Sequence, residues 1–264
     1  MDILIPILIV SGIGLVVGVG LAVASSIFAV PKNEIEEKVR ECLPGANCGA
    51  CGFSGCDGYA QAIAKGETDN ISLCLPGGNE TVAEIAAITG KAVVEIAPVA
   101  AFVKCNGTCA NASDKLEYSG IKTCKAANMM LGGEKTCRFG CLGYGDCMAV
   151  CDNGAITLCD GVARIDVQKC GACQKCAQVC PKHLIDIRPV GKLQAVVMCA
   201  SQDKGPAKLK ACKASCIGCG KCTKACAEGA ITVESFVAKV DAEKCTGCGE
   251  CAKVCPRSCI VITE

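Results

Sequence analysis

Hydrophobic and polar positions divide this chain unevenly. Residues 3–30 carry no charge, and about 20 apolar residues suffice to span a bilayer as a helix. The run therefore predicts one N-terminal transmembrane helix. Gly14, Gly18, Ala22 and Ser26 recur at every fourth position along it, a small-residue stripe of the kind that lets membrane helices approach closely. Lys32, Lys38 and Arg40 follow, and the positive-inside rule then predicts the remaining chain on the cytoplasmic side. Past this point the pattern turns polar. Residues 33–42 read as a short helix with Asn33 and Glu36 as a capping pair, and residues 81–89 as another, stopped by Gly90. The apolar stretch 92–103 reads as a strand. Farther on, Gly-Ala-Ile-Thr occurs at 154–157 and at 229–232. Each is followed by a short alternating run, which predicts small β-ribbons.

Composition sharpens this picture. The chain has 264 residues with 28 cysteines, 30 glycines, no tryptophan and 3% aromatics. Few large side chains are available for a core, so bound metal must supply much of the folding free energy. A net charge of +1 gives no reason to expect a nucleic-acid partner. Only Met1 and Asp2 precede the apolar run, which lacks the basic start of a secretory signal. The cysteines are therefore expected in a reducing, cytoplasmic compartment rather than in disulfides.

Their spacing carries the chemistry. Cys245, Cys248, Cys251 and Cys255, followed by Pro256, form the C-x2-C-x2-C-x3-C-P run that holds [4Fe–4S] clusters. The first three wrap one cubane while the fourth serves a neighbouring one. Zinc sites usually pair two C-x2-C knuckles around one ion instead. Nearer the N-terminus, Cys48, Cys51, Cys56 and Cys74 are laced with Gly49, Gly52, Gly55 and Gly58. Those glycines suit the close backbone approach that a cubane needs.

From Cys124 onward the chain repeats at a constant offset of 75 residues. Cys124, Cys137, Cys141, Cys147 and Cys151 match Cys199, Cys212, Cys216, Cys222 and Cys226, and Cys170, Cys173, Cys176 and Cys180 match Cys245, Cys248, Cys251 and Cys255. Crossed ligation then groups Cys216, Cys219, Cys222 with Cys255, and Cys245, Cys248, Cys251 with Cys226. In the first repeat Cys170, Cys173, Cys176 and Cys151 make a full set. The other set has only Cys141, Cys147 and Cys180, because Tyr144 stands where the second repeat has Cys219. That gap is compatible with a three-iron cluster, a borrowed ligand or an empty site.

Five further cysteines, Cys105, Cys124, Cys137, Cys199 and Cys212, supply one ligand for the gap and four for a further cluster. The expectation is 24 ligands and about six [4Fe–4S] clusters, with Cys42, Cys109, Cys159 and Cys259 spare. Repeat symmetry pairs Cys137 with Cys212. Loop-closure entropy favours Cys137 as the local patch, since it lies only four residues before Cys141.

A leading apolar helix, the glycine-laced cysteine domain and paired ferredoxin modules resemble, in that order, the B subunit of the Rnf complex. The segment from Lys135 to Cys147, together with Cys48, Cys51, Cys56 and Cys74, carries the likeness most specifically. The resemblance implies an electron-transfer component of an ion-pumping (Na⁺ or H⁺) ferredoxin:NAD oxidoreductase. Its implied partners are soluble ferredoxin and the other membrane and peripheral subunits, and its implied place is the cell membrane, with iron–sulfur domains on the cytoplasmic side. The expected fold is α+β, with a transmembrane anchor (1–30), an iron–sulfur domain (31–90) and two tandem 2[4Fe–4S] ferredoxin modules (91–190 and 191–264). No strand-framed dinucleotide fingerprint is present, and His183 is the only histidine, so neither hydride chemistry nor a bis-His haem is expected. A membrane-anchored polyferredoxin of a hydrogenase or formate dehydrogenase is the alternative. Ferredoxin is expected to dock on the second module, where Lys221, Lys224, Lys244, Lys253 and Arg257 flank the cysteines.

Overall fold

The computed structural model describes residues 4–27 and 33–263, with the side chains of the first helix described over 11–25. Short helices and two-stranded ribbons make up the chain, since no stretch after the first is apolar over more than a few residues. Helix α1 runs Leu4–Ile27. Among the described residues no helix is long and apolar enough to cross a membrane, which corrects the expected single-pass transmembrane fold. The flanks of the expected span, Ile3, Val30 and Lys32, lie outside the described residues.

Helices α2 (Glu34–Cys42), α3 (Cys56–Lys65) and α4 (Gly78–Thr89) form the next unit. Asn33 caps α2, its side chain accepting from the Ile35 N–H at 3.0 Å. Gly90, at φ +69°, closes α4 as the sequence suggests. Val39, Tyr59, Ile63, Val82 and Ile85 pack as its core, with Cys56 and Cys74 among them. The strand expected over 92–103 is shorter. Only β1 (Val99–Val103) pairs, antiparallel with β4 (Ile185–Pro189).

Between those strands lie α5 (Cys124–Met129), α6 (Asp146–Ala149), the hairpin β2 (Ile156–Cys159) and β3 (Val162–Ile165), and α7 (Lys175–Val179). The second repeat runs through β5 (Gln194–Val197), α8 (Gly205–Ala211), α9 (Lys221–Ala225), the hairpin β6 (Ile231–Glu234) and β7 (Val237–Val240), α10 (Glu250–Lys253) and β8 (Ile260–Thr263). Here β5 pairs with β8 as β1 pairs with β4. Each repeat has a small core in which branched aliphatics pack directly against cysteines. Val162, Leu184 and Ile185 surround Cys147 and Cys176 in the first, and Val197, Ile231 and Val237 surround Cys222 and Cys251 in the second.

The loop that opens each repeat's cysteine run crosses its hairpin at very short range. A Cβ on Gly143 would lie 2.6 Å from the Gly161 carbonyl oxygen, and one on Gly218 would lie 2.7 Å from that of Phe236. Glycine is required at both positions by contact as well as by their positive φ.

Candidate metal centres

Six groups of cysteines emerge from these elements. In the N-terminal unit Cys56 opens α3, and its N–H donates to the Asn47 side chain at 2.8 Å. The Tyr59 hydroxyl donates to the Asn70 carbonyl at 3.0 Å and accepts from the Leu73 N–H at 3.3 Å. This clamp draws Cys74 towards Cys48, Cys51 and Cys56. Burial raises the Cys74 thiol, and the three neighbours raise it further.

Cys151, Cys170, Cys173 and Cys176 line a cavity of ≈ 370 Å³. The Ala155 N–H points at the Cys151 sulfur and the Ala101 N–H at the Cys170 sulfur, each at 3.4 Å. Burial, then Cys170 and Cys173, pushes the Cys176 thiol up to about 11. The second repeat matches this in Cys226, Cys245, Cys248 and Cys251. There the Ala230 and Ala195 N–H groups donate to Cys226 and Cys245 at 3.3 and 3.4 Å, and Cys251 has Cys245 and Cys248 as electrostatic neighbours. Cys216, Cys219, Cys222 and Cys255 line a second cavity. The spare Cys259 is buried beside it, its sulfur 3.6 Å from that of Cys255.

The five undecided cysteines divide differently from the local expectation. Cys124 lines one cavity with Cys141, Cys147 and Cys180. Burial, then Cys141, Cys124 and Cys180, pushes the Cys147 thiol up to about 12. Cys137 instead joins Cys105, Cys199 and Cys212 around another cavity at the junction of the repeats. The reason is Asp146. Its carboxylate accepts the N–H groups of Cys124 and Lys125 at 2.9 and 3.0 Å, which fastens the start of α5 onto α6. Tyr144 is turned away, its hydroxyl donating to the Glu134 carboxylate and its ring edge-on to Tyr118.

Sequence reasoning missed Asp146, which occupies the place of Lys221 in the second repeat. The junction set pairs Cys137 with Cys212, as the 75-residue offset suggested. It also pairs Cys105 with Cys199, and each of these stands two residues beyond β1 or β5. Cys109 and Cys159 are exposed, and Cys42 is half-buried against the N-terminal core. His183 is exposed.

These sites suit a cubane better than an ion. Four thiols face each of three cavities and five, with Cys259, face the other. Backbone N–H groups point at several of the sulfurs, and such hydrogen bonds are a recurrent feature of cluster sites. Among the described residues no group of three or more His, Cys, Asp or Glu is gathered to hold a single metal ion.

The groups also form a line. Cys251 has Cys222 beside it, and Cys199 has Cys216. The Cys141 N–H donates to the Cys105 sulfur at 3.4 Å. Cys147 has Cys176 as a neighbour. The cavity of Cys151, Cys170, Cys173 and Cys176 is walled on its far side by Pro44, Gly45, Ala46 and Pro76 of the N-terminal unit. Each group therefore neighbours the next, from the C-terminal end of the chain to the N-terminal unit.

Such a row of thiol groups suits an iron–sulfur electron carrier. An Fe-S cluster family model matches residues 43–76, and a 4Fe-4S dicluster domain matches residues 215–259. The dicluster match falls on the second repeat, so of the two ferredoxin modules expected it bears on that one. The B subunit of the Na(+)-translocating ferredoxin:NAD(+) oxidoreductase complex of Acetobacterium woodii is 42% identical over 98% of this chain and 77% of its own length. The B subunit of the ion-translocating oxidoreductase complex of Methanosarcina acetivorans is 38% identical over 89% of both chains. The proton-translocating counterpart of Clostridium ljungdahlii is 41% identical over 87% of this chain and 81% of its own. The chain belongs to the family of B subunits of ion-translocating oxidoreductase (Rnf) complexes.

Proposed function

We propose that this chain takes electrons from reduced ferredoxin at its second repeat and passes them to its N-terminal unit, inside an ion-translocating ferredoxin:NAD oxidoreductase complex. The unbroken line of cysteine groups carries this reading, because electron transfer needs neighbouring sites rather than a pocket for substrate. About six [4Fe–4S] clusters, held by the 24 grouped cysteines, would supply one-electron redox chemistry. The chain's own residues bind, bury and space them. The complex's other subunits would hold the chain at the cytoplasmic face of the cell membrane, and hydride transfer to NAD would fall to a partner.

Exposure and charge support the direction. Cys219 and Cys248 are exposed, whereas Cys124 and Cys173, their counterparts in the first repeat's sites, are covered to a greater degree. Lys221 and Lys224 on α9 lie beside Cys219 and Cys222 and have no ion-pair partner among the described residues, so they suit an acidic carrier. The other expected docking residues serve differently. Lys244 pairs with Asp241 at 3.6 Å, Lys253 with Glu250 at 2.7 Å, and Arg257 turns inward to donate to the Cys212 carbonyl. Lys169 and Lys175 of the first repeat are likewise paired, with Asp166 and Asp152.

Reversing Lys221 and Lys224 to Glu should slow reduction by ferredoxin about tenfold or more at low salt. Dithionite should still reduce every cluster at the parental rate. An unchanged ferredoxin rate at low salt, with the same reversal at Lys169 and Lys175 abolishing it, would move the uptake site to the first repeat.

A further inference from the structure

Four cations without a carboxylate partner among the described residues lie close to the junction cysteines. Lys135 lines their cavity beside Lys104, which is paired with Asp186 at 2.8 Å. Lys208 neighbours Cys199, Arg164 reaches Cys105, and Arg257 neighbours Cys212 from the cavity of Cys216 and Cys255. Lys135 is buried and lines the cavity, its Nζ donating to the Gly107 and Gly161 carbonyls at 2.8 and 2.9 Å. Lys208 is 1% exposed, and its Nζ donates to the Phe236 carbonyl at 2.6 Å. Arg164 donates to the Cys105 carbonyl at 2.9 Å and the Asn106 side chain at 2.7 Å. Arg257 donates from Nη2 to the Cys212 carbonyl at 3.1 Å, while its Nε is buried without a partner. Asp203, whose charge bears on Cys137, is itself paired with Arg138 at 2.9 Å.

The two lysines converge from different scaffolds. Gly161 and Phe236 are matching residues of the two hairpin turns, 75 positions apart, but Lys135 and Lys208 are not a repeat-matched pair. Lys208 rises from α8, whereas Lys135 lies in the loop before Cys137. Two unlike segments thus bring an ammonium to the same place in each repeat. Hydrogen bonds to carbonyls satisfy these donors but leave their charge uncompensated, and burying an unpaired charge is costly. Negative charge at the cysteine groups is the available compensation.

We propose that Lys135, Arg164, Lys208 and Arg257 form a cationic collar that raises the reduction potential of the junction site. This rests on the reading that Cys105, Cys137, Cys199 and Cys212 hold a [4Fe–4S] cluster. Reduction adds one negative charge there, and nearby cations, buried at Lys135 and Lys208 and half-buried at Arg164 and Arg257, favour the more negative state. Cations at the outer sites, such as Lys175 and Lys253, are exposed at their charged ends or neutralised by Asp152 and Glu250, and would do this far less.

The test is an EPR-monitored redox titration of the full chain after anaerobic iron loading, comparing Arg164→Gln, Arg257→Gln and Arg257→Lys with the parent. Iron content should be unchanged in all of them. In each Gln variant one signal should need a lower potential, its reduced-to-oxidised ratio falling at least tenfold at fixed potential, or about 59 mV for one electron. Arg257→Lys should restore most of that ratio. Lys135→Gln, on a separate segment, is read the same way, so a single variant that fails to load iron leaves the other decisive. Unmoved midpoints, or Arg257→Lys behaving like Arg257→Gln, would overturn the collar and leave these cations a purely structural role. Parent chain that loads about 20 irons, with no signal sensitive to Cys212→Ser, would instead remove the junction cluster on which the proposal rests.

Discussion

The two repeats have nearly the same order of elements and complete the same site in different ways. In the second, Cys219 lies within the loop that supplies Cys216 and Cys222, and it is exposed. In the first, Tyr144 takes that position and Cys124 arrives from a separate helix, buried and held by the Asp146 carboxylate. The local solution leaves one edge of its site open to solvent. The borrowed solution closes that edge beneath α5 and the Tyr118–Tyr144 pair. Where the second repeat has the exposed Cys219, the first has Tyr144 and a buried Cys124 held by a carboxylate that staples two short helices together. This fits a chain with uptake at one end and relay in the middle.

The N-terminal unit and the repeats also differ in what holds them together. The N-terminal unit has a core of aliphatics and Tyr59 that does not depend wholly on its cysteines, whereas both repeats pack small side chains against thiols. Removing the metal should therefore have the largest effect of all. The loaded chain should hold roughly 24 irons, by four per cubane site. Chelation should abolish the far-UV circular dichroism and protease resistance of residues 92–263 while α2 to α4 keep part of theirs. Survival of the repeats without iron would break the distinction.

A smaller effect should separate the two hairpins. The turn of the first has Asp160 and Gly161 at φ +49° and +73°, and the turn of the second has Ser235 and Phe236 at φ +47° and +62°. Asp-Gly suits such a turn, whereas a bulky residue in the left-handed region is strained. Phe236 is 49% exposed, so little packing is lost on its removal. Phe236→Gly should stabilise the loaded chain by about 0.5–1 kcal/mol, seen as a rise of a few degrees in the melting midpoint. A fall would show that the ring packs in a way that outweighs the strain.

Most of the grouping of the cysteines was legible because cluster motifs are local. Spacing alone grouped Cys48 with Cys51, Cys56 and Cys74, and crossed ligation anticipated the company of Cys151, Cys226 and Cys255. The ribbons and the caps at Asn33 and Gly90 were legible for the same reason. What escaped was tertiary. Loop-closure entropy favoured Cys137 for the gap, but that preference grows only slowly with loop length. Fastening Cys124 through two charge-assisted hydrogen bonds to Asp146 outweighs it. The constant offset also paired Cys124 with Cys199, although the structural counterpart of Cys199 is Cys105, which follows β1 as Cys199 follows β5. The collar was invisible because Lys135 and Lys208 occupy unmatched positions. The apolar run promised a membrane span by composition, and the described helix does not provide one.

In this fold Cys124, rather than Cys137, stands with Cys141, Cys147 and Cys180. The direct measurement is the iron content and EPR of Cys124→Ser and Cys137→Ser, each with and without Tyr144→Cys, which recreates the cysteine that stands at 219 in the second repeat. Cys124→Ser should lose or convert one cluster, and Tyr144→Cys should restore it. Cys137→Ser should lose the junction cluster, which Tyr144→Cys cannot return. Restoration of Cys137→Ser by Tyr144→Cys, with Cys124→Ser indifferent to it, would contradict the account.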